Sequence, residues 1–340
     1  MRTTDIGRTP SQEPFCTRET SAHGRSNPVG ARSRLPDREV TEARPTGPSW
    51  NERHRTIEIE FADGERIYLK IATDGDGSRI ARERAVIAYA GANLGIPVPT
   101  ISASDVGGAP PYLATVPVSG SNLIDYWAEA SVAERATLAR TVGNALASVH
   151  ARRFEAHGHV IGGDGDGLEL DTGSWTDVLV GTIAETREIA PSDRFAGHFE
   201  RVIEAVEANR DLLDEAPATL CNGDPAAPNC FCEDERIGFL DWEIAHVGDP
   251  ARELHRARDQ LIDSRTEGSR KAVSALYEGY RERADGLPAG FEERRPVYEA
   301  VRFLGRSGFF ENWAAYLDES PEELAAWIDE EMDRRLAEIQ

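Results

Sequence analysis

Residues 220–243 read LCNGDPAAPNCFCEDERIGFLDWE. Asp224 and Asn229 bracket a loop that follows the strand-like "ATLC". Asp241 ends a second strand-like run, after Ile237, Phe239 and Leu240. A small sheet with this loop between its strands brings the three side chains together at one edge.

Phosphoryl transfer needs such a set. One carboxylate orients, or deprotonates, the acceptor hydroxyl. A second carboxylate and an amide oxygen suit Mg²⁺, a hard cation that takes oxygen ligands. A lysine must also reach the nucleotide phosphates, and a glutamate on a helix must aim that lysine. For each residue taken singly the plain alternative is turn formation and strand capping, at which Asp and Asn excel.

Upstream, "TIEIEF" alternates Ile57, Ile59 and Phe61 with polar residues, Asp63-Gly64 makes a turn, and "RIYLKIA" alternates Ile67, Leu69 and Ile71 with Tyr68 and Lys70. This pattern is a β-hairpin with an apolar face on each strand, and Lys70 lies opposite that face. A helix follows, with Ser78 as its expected N-cap and Ile80, Ile87 and Leu94 as its stripe. Glu83 lies close to the stripe, 13 residues after Lys70. "PPYLATVPVSGSNL" reads as a strand running into a linker, and beyond it helices dominate. Ser131 with Glu134, and Ser320 with Glu323, are capping-box signatures. The expectation is an α+β, bilobal chain: a strand-rich lobe over 47–118, then a larger, mainly helical lobe over 119–340, with a ligand cleft between them.

Residues 1–46 carry eight arginines against six acids and show no sustained period. Low apolar content with scattered prolines reads as a disordered tail. The whole chain has 60 acids against 38 bases, a net charge of −22. That argues against a general nucleic-acid binder and against docking on an anionic membrane. It fits cationic substrates or a high-salt cytoplasm. Lys70 and Lys271 are the only lysines, a usage expected of a halophile or of a genome that favours arginine codons. With no apolar run of transmembrane length and no signal-peptide segment, the reading is a soluble, cytoplasmic protein.

The spacing Asp224-x-x-x-x-Asn229 equals that of the Asp and Asn in the protein-kinase catalytic loop. "NGDPAAPN", "FLDWE" and "GDPARELHR" resemble the aminoglycoside phosphotransferase family, part of the wider group that holds choline kinases and homoserine kinases. The resemblance spans about Thr46 to Trp327. It implies a protein-kinase-like fold, ATP (or GTP) and Mg²⁺ as cofactors, and transfer to a hydroxyl of a small molecule. It implies Asp224 as catalytic base, Asn229 and Asp241 as metal ligands, and Lys70 with Glu83 as the phosphate-binding pair. It also implies Gly47, Ser49 and Asn51 in a phosphate-covering loop, and a hinge at Thr115, Val116 and Val118 facing the base. Asp249 would N-cap the helix begun by Pro250 while supporting the catalytic loop. Two positions depart from the family pattern: Asn222 stands where His is usual, and Pro48 where a second glycine is common. The first keeps a second reading open, a nucleotide-binding module without turnover.

A protein acceptor is disfavoured by length. Only "IAHV" separates Asp241-Trp242-Glu243 from Gly248-Asp249-Pro250, too short for the peptide platform of a protein kinase. Cys16, Cys221, Cys230 and Cys232 contain no CxxC pair and read as small apolar packing residues. "DGDGS" at Asp74 has Arg79 and Ala85 where a calcium loop needs Gly and Glu. "GGDGDG" at Gly162 reads as a loop, "HGH" at His157 as a helix-end turn, and Trp313, Tyr316 and Trp327 as core.

Overall fold

A computed structural model describes residues 38–46, 53–262 and 267–339. The first sheet is antiparallel, in the order β1-β2-β3-β5-β4. Its strands are β1 Val40–Pro45, β2 His54–Phe61, β3 Arg66–Ala72, β4 Thr100–Asp105 and β5 Tyr112–Val116. The expected hairpin is β2–β3, with Ile57 opposite Leu69 and Thr56 opposite Lys70. Alternation sends Ile59, Phe61, Ile67 and Leu69 into one apolar cluster with Tyr112 and Ala114. The opposite face carries Ala72 and Leu113 into the main core, where helix α1 (Ser78–Asn93) packs. Lys70 shares that second face, so it points toward α1 rather than to solvent.

Two expectations change here. Strand β1 pairs with β2 along Val40↔Phe61 to Pro45↔Ile57, so the sheet begins within the segment read as a disordered tail. "VTEARP" exposes five of its six residues and lacks an apolar period, so backbone pairing, not burial, makes it a strand. Residues 1–37 lie outside the described residues. The helix cap also differs: the residue before α1 is Gly77, which makes no side-chain cap, and Asp76 accepts hydrogen bonds from Ser78 N (2.9 Å) and Oγ (2.8 Å).

The larger part holds ten helices among the described residues. These are α2 Leu123–Glu129, α3 Val132–His150, α4 Trp175–Glu188, α5 Ala196–Ala208, α6 Arg210–Asp214, α7 Pro250–Leu261, α8 Glu267–Ala284, α9 Arg295–Gly308, α10 Phe310–Ala314 and α11 Pro321–Ala337. Both capping boxes form, at α3 and α11. α3 and α8 approach closely because neither has a side chain at the crossing: a Cβ on Gly143 would meet Leu276 O at 2.0 Å, and one on Gly279 would meet Arg140 O at 2.0 Å.

Two small sheets hold the loops. One has the order β11-β10-β6, from β6 Ser121–Asn122, β10 Cys230–Glu233 and β11 Arg236–Phe239. The other has the order β8-β7-β12-β9, from β7 His157–Gly163, β8 Leu168–Gly173, β9 Thr219–Cys221 and β12 His246–Gly248. The β7–β8 hairpin overturns the helix-end reading of "HGH", since His157 pairs with Gly173 and His159 with Asp171. Its apolar signal is weak because three of the seven residues of β7 are glycines, Gly158, Gly162 and Gly163. Trp313 and Trp327 pack on the core, but Tyr316 is 73% exposed and is not part of it. No helix among the described residues is long and apolar enough to cross a membrane.

Candidate active site

The loop that carries Asp224 and Asn229 runs from β9 into a 3₁₀ turn at Ala227–Asn229 and on to β10. Asn229 Nδ2 donates to Asp224 Oδ2 (3.1 Å) and to Asp224 O (3.0 Å), so the two residues meet as the spacing predicts. Gly223 has φ +93°, and a Cβ there would approach Ile244 O to 2.7 Å, so the turn before Asp224 requires glycine. Asn222 is fully buried and spans the loop. Its Nδ2 donates to Leu240 O (3.2 Å) and its Oδ1 accepts from Asp224 N (3.1 Å). It therefore ties the Asp224 backbone to the residue before Asp241.

Asp241 follows β11 in the left-handed region, at φ 55° and ψ 63°. Aspartate tolerates that conformation better than most residues, and strain of this kind gathers at functional sites. A 3₁₀ turn, Trp242–Ile244, then leads into β12. Trp242, buried, donates from Nε1 to Phe239 O (2.9 Å) and fixes the turn.

Three carboxylates converge on Lys70. Its Nζ lies 2.8 Å from Glu83 Oε2, 2.5 Å from Asp241 Oδ1 and 2.6 Å from Glu243 Oε2. Burial disfavours the ammonium, but Asp241, Glu83 and Glu243 together hold its pKa well above the ordinary lysine value. Burial pushes Glu83 up to about 7 despite Lys70. Burial acts on Glu243 in the same sense, yet Lys70 above all holds it down to about 2. The two glutamates are thus driven apart although they share one cation.

Glu243 is a site residue that the spacing argument did not single out. It also meets Arg79 Nη1 (3.2 Å) and His54 Nδ1 (3.3 Å), and its backbone O accepts from Arg82 Nη1 (3.1 Å). It therefore joins the sheet, α1 and the segment after Asp241. The signal in the sequence was its place two residues after Asp241.

Asp224 has further partners that were missed. Arg256 Nη2 lies 2.8 Å from its Oδ1, and Gln260 Nε2 donates to the same oxygen. Burial would raise the Asp224 pKa, but Arg256 and Gln260 outweigh it and hold the carboxyl below its usual value. Arg252, Arg256 and Gln260 recur every fourth residue on α7, one face of a helix, which was readable in advance.

Asp249 caps α7 as expected, accepting from Ala251 N (2.9 Å). Its other oxygen accepts from Arg294 Nε (2.7 Å) and Tyr298 OH (2.5 Å), at α9 rather than at the Asp224 loop. The loop is braced instead by Glu253, which accepts from Gly223 N and lies 2.8 Å from His150 Nε2. Cys221 and Cys230 are buried and free, and burial raises both thiols well above the ordinary value, so they pack as inert small residues. Cys16 lies outside the described residues.

Thr115 and Val116 end β5, and Val118 lies in the short link to β6. Thr115 and Val118 are half-buried and Val116 is 42% exposed. Gly47, Ser49 and Asn51 lie outside the described residues.

Residues 46–304 match the phosphotransferase enzyme family. No curated protein matches the chain in sequence. Among solved structures, a thermostable mutant of the aminoglycoside phosphotransferase APH(4)-Ia superposes with a TM-score of 0.59 at 16% identity, over 88% of this chain and 94% of that one. A ternary complex of the same enzyme with ADP and hygromycin B gives a TM-score of 0.57 at 17% identity, over 88% and 94%. Choline kinase LicA from Streptococcus pneumoniae gives 0.57 at 13% identity, again over 88% and 94%. At such identities these likenesses speak for the fold, a protein-kinase-like architecture. The family match spans about three quarters of the sequence, and the chain belongs to the phosphotransferase enzyme family.

Proposed function

We propose that the protein transfers the γ-phosphate of ATP or GTP to a hydroxyl of a small molecule. The observation that carries this reading is the convergence of Lys70, from the sheet, with Glu83 of α1 and Asp241 beside the catalytic loop. Those three parts come from 171 residues of chain separation, the distance between Lys70 and Asp241.

Asp224 orients the acceptor hydroxyl and takes its proton as the new oxygen–phosphorus bond forms. The bond from the γ-phosphorus to the bridging oxygen breaks, and the nucleoside diphosphate leaves with that electron pair. Lys70, aimed by Glu83, reaches the nucleotide phosphates. Asn229 and Asp241 would hold Mg²⁺. They fit, because they offer hard oxygen donors and because Asn229 turns its nitrogen to Asp224, leaving its amide oxygen available. When bound, the ion neutralises charge on the transferring phosphoryl group. Gly47, Ser49 and Asn51 are proposed to cover the phosphates, and Thr115, Val116 and Val118 to border the base.

The connection after Asp241 supports a small acceptor. It is occupied by one 3₁₀ turn and the three residues of β12, which pairs on both edges with β7 and β9. No segment remains there to seat a peptide. Turnover, rather than binding alone, is supported by Asn222, whose two hydrogen bonds supply the bracing of the loop.

The test is Asp224→Asn in a transfer assay with γ-labelled nucleotide. Loss of a general base lowers kcat by about 10²–10⁴-fold. Nucleotide affinity, read by calorimetry, should stay close to that of the parent. Wild-type turnover in the variant rejects the assignment.

A further inference from the structure

The chain is strongly acidic, yet the cavity beside its catalytic loop is not. A cavity of about 210 Å³ lies between α1, α4, α7 and α9 and opens against Gly223 and Ile244. Five arginines line it: Arg79, Arg82, Arg252, Arg256 and Arg302. Three carboxylates share the wall, Glu185, Asp259 and Glu299. The wall is therefore formally +2, five minus three, in a chain of −22.

Two of those acids are already committed. Arg258, which is not part of the wall, lies 2.7 Å from Asp259 and 3.0 Å from Glu299. Among the described residues Arg302 pairs with one carboxylate, Asp259, at 3.5 Å. Arg252 has no carboxylate within 4 Å among the described residues. It is buried, with its Nη1 at 3.1 Å from His246 Nε2 and its guanidinium over the Trp175 ring. Among the described residues Arg256 pairs with one carboxylate, Asp224, and its Nε also donates to Gln260 Oε1 (3.3 Å). Burying guanidinium groups without full partners costs stability, and such groups gather at functional sites. Burial first, and the neighbouring Arg256 second, lower both Arg252 and Arg302 to about 10. The wall also holds one open acceptor: His255 Nε2 faces Phe291 O at 2.9 Å, and its Nδ1 is buried without a partner.

We propose that the acceptor is a small hydroxylated anion, a carboxylate or a phosphate, whose charged group is held by Arg252, Arg256 and Arg302 while a hydroxyl faces Asp224. This identifies the substrate class and rests on the phosphotransferase reading. A polycation is the wrong partner for such a wall, contrary to what net charge alone suggested.

Calorimetry on the full chain tests binding, with D-gluconate and glucose 6-phosphate as anionic probes, glucose as the neutral one and kanamycin as the cationic one. The expected result is saturable binding of at least one anionic probe and none of glucose or kanamycin. The two anions separate carboxylate from phosphate recognition. Arg302→Gln, at a half-buried position, should weaken that binding about 10-fold or more, as expected for a lost charge-assisted bond, and leave nucleotide affinity unchanged. Thermal melting checks that the variant is folded, and Arg302→Lys should recover part of the affinity. Binding of kanamycin or glucose in preference to both anions overturns the proposal, as does failure of both anions to bind. Loss of nucleotide rather than anion affinity in Arg302→Gln also overturns it. Label transfer from ATP is the separate readout. Anion binding without transfer rejects the phosphotransferase activity and upholds the anion site, whereas transfer to kanamycin upholds the activity and rejects the anion site.

Discussion

Lys70 Nζ lies 2.6 Å from Glu243 Oε2, so the sheet lysine is bound to a residue on the far side of the cleft. With Glu83 and Asp241 it makes one ammonium serve three carboxylates. A lysine on the polar face of an exposed strand would contribute nothing to stability. This one does, because its side chain is only 15% exposed and removing it leaves like charges facing one another.

Lys70→Ala should therefore lower the melting temperature as well as nucleotide affinity. Breaking a buried ion pair by removing one partner costs about 3–5 kcal/mol, and the half-exposed Asp241 places this case at the lower end. The oxygens of Glu83, Asp241 and Glu243 lie within 4.8 Å of one another, a spacing that a divalent cation can fill. Mg²⁺ should then raise the melting temperature of the variant more than that of the parent. Equal Mg²⁺ effects on the two proteins would show that Lys70 is not the counter-ion of this cluster.

Glu83 gives the cluster a pH dependence of definite sign. Its folded pKa of about 7 stands above the ordinary 4.5, chiefly through burial. The folded chain thus keeps a proton that the unfolded chain has lost, and stability falls as pH rises from about 4.5 through about 7. Glu83→Gln cannot titrate. In denaturant melts at pH 5 and pH 8, the parent should lose more stability between the two values than the variant does. Parallel changes in both would place the titration elsewhere.

Much of the site was legible because it depends on local spacing. Asp224 and Asn229 sit on one turn, and their separation fixes their meeting. Lys70 and Asp241 were legible only through chemistry, since nothing in the local pattern joins two residues so far apart. Strand β1 was hidden because its stability comes from backbone pairing with β2, which leaves no mark on side-chain alternation. The β7–β8 hairpin was hidden by its glycines, and Tyr316 by the assumption that large aromatics go inside. The basic wall escaped for another reason. Net charge averages over the chain, while Arg252, Arg256 and Arg302 come together only when α7 packs on α9.

Deleting residues 1–46 should destabilise the protein, contrary to what composition alone suggests. The deletion removes β1 and exposes the edge of β2. It also removes Arg38, whose guanidinium lies 4.1 Å from the Phe61 ring centre and 2.7 Å from Glu65. That cation–π contact adds to what the strand pairing contributes. For a chain of this size each kcal/mol moves the melting temperature by about 1–2 °C. A drop of a few degrees is expected by differential scanning fluorimetry, and an unchanged transition would show that β1 is dispensable.

Asn222 is the position that separates an active enzyme from a nucleotide-binding relic. Its side chain is fully buried and makes two hydrogen bonds, one to Leu240 O and one from Asp224 N. Asn222→Ala leaves both backbone groups without that partner, and each buried group left unpaired costs about 1–3 kcal/mol. The loss falls on the join between the catalytic loop and the strand that presents Asp241. Turnover should decline by more than nucleotide affinity does, since Lys70 and Glu83 keep their contacts. Asn222→His offers the alternative donor and acceptor on one ring, and it should restore most of the activity lost in Asn222→Ala. Single-turnover transfer rates with γ-labelled ATP, set beside nucleotide affinities for the three proteins, decide the matter. If Asn222→Ala binds and transfers like the parent, the bracing role is rejected. If Asn222→His transfers while the parent does not, the parent is a binding module whose activity was lost at this residue.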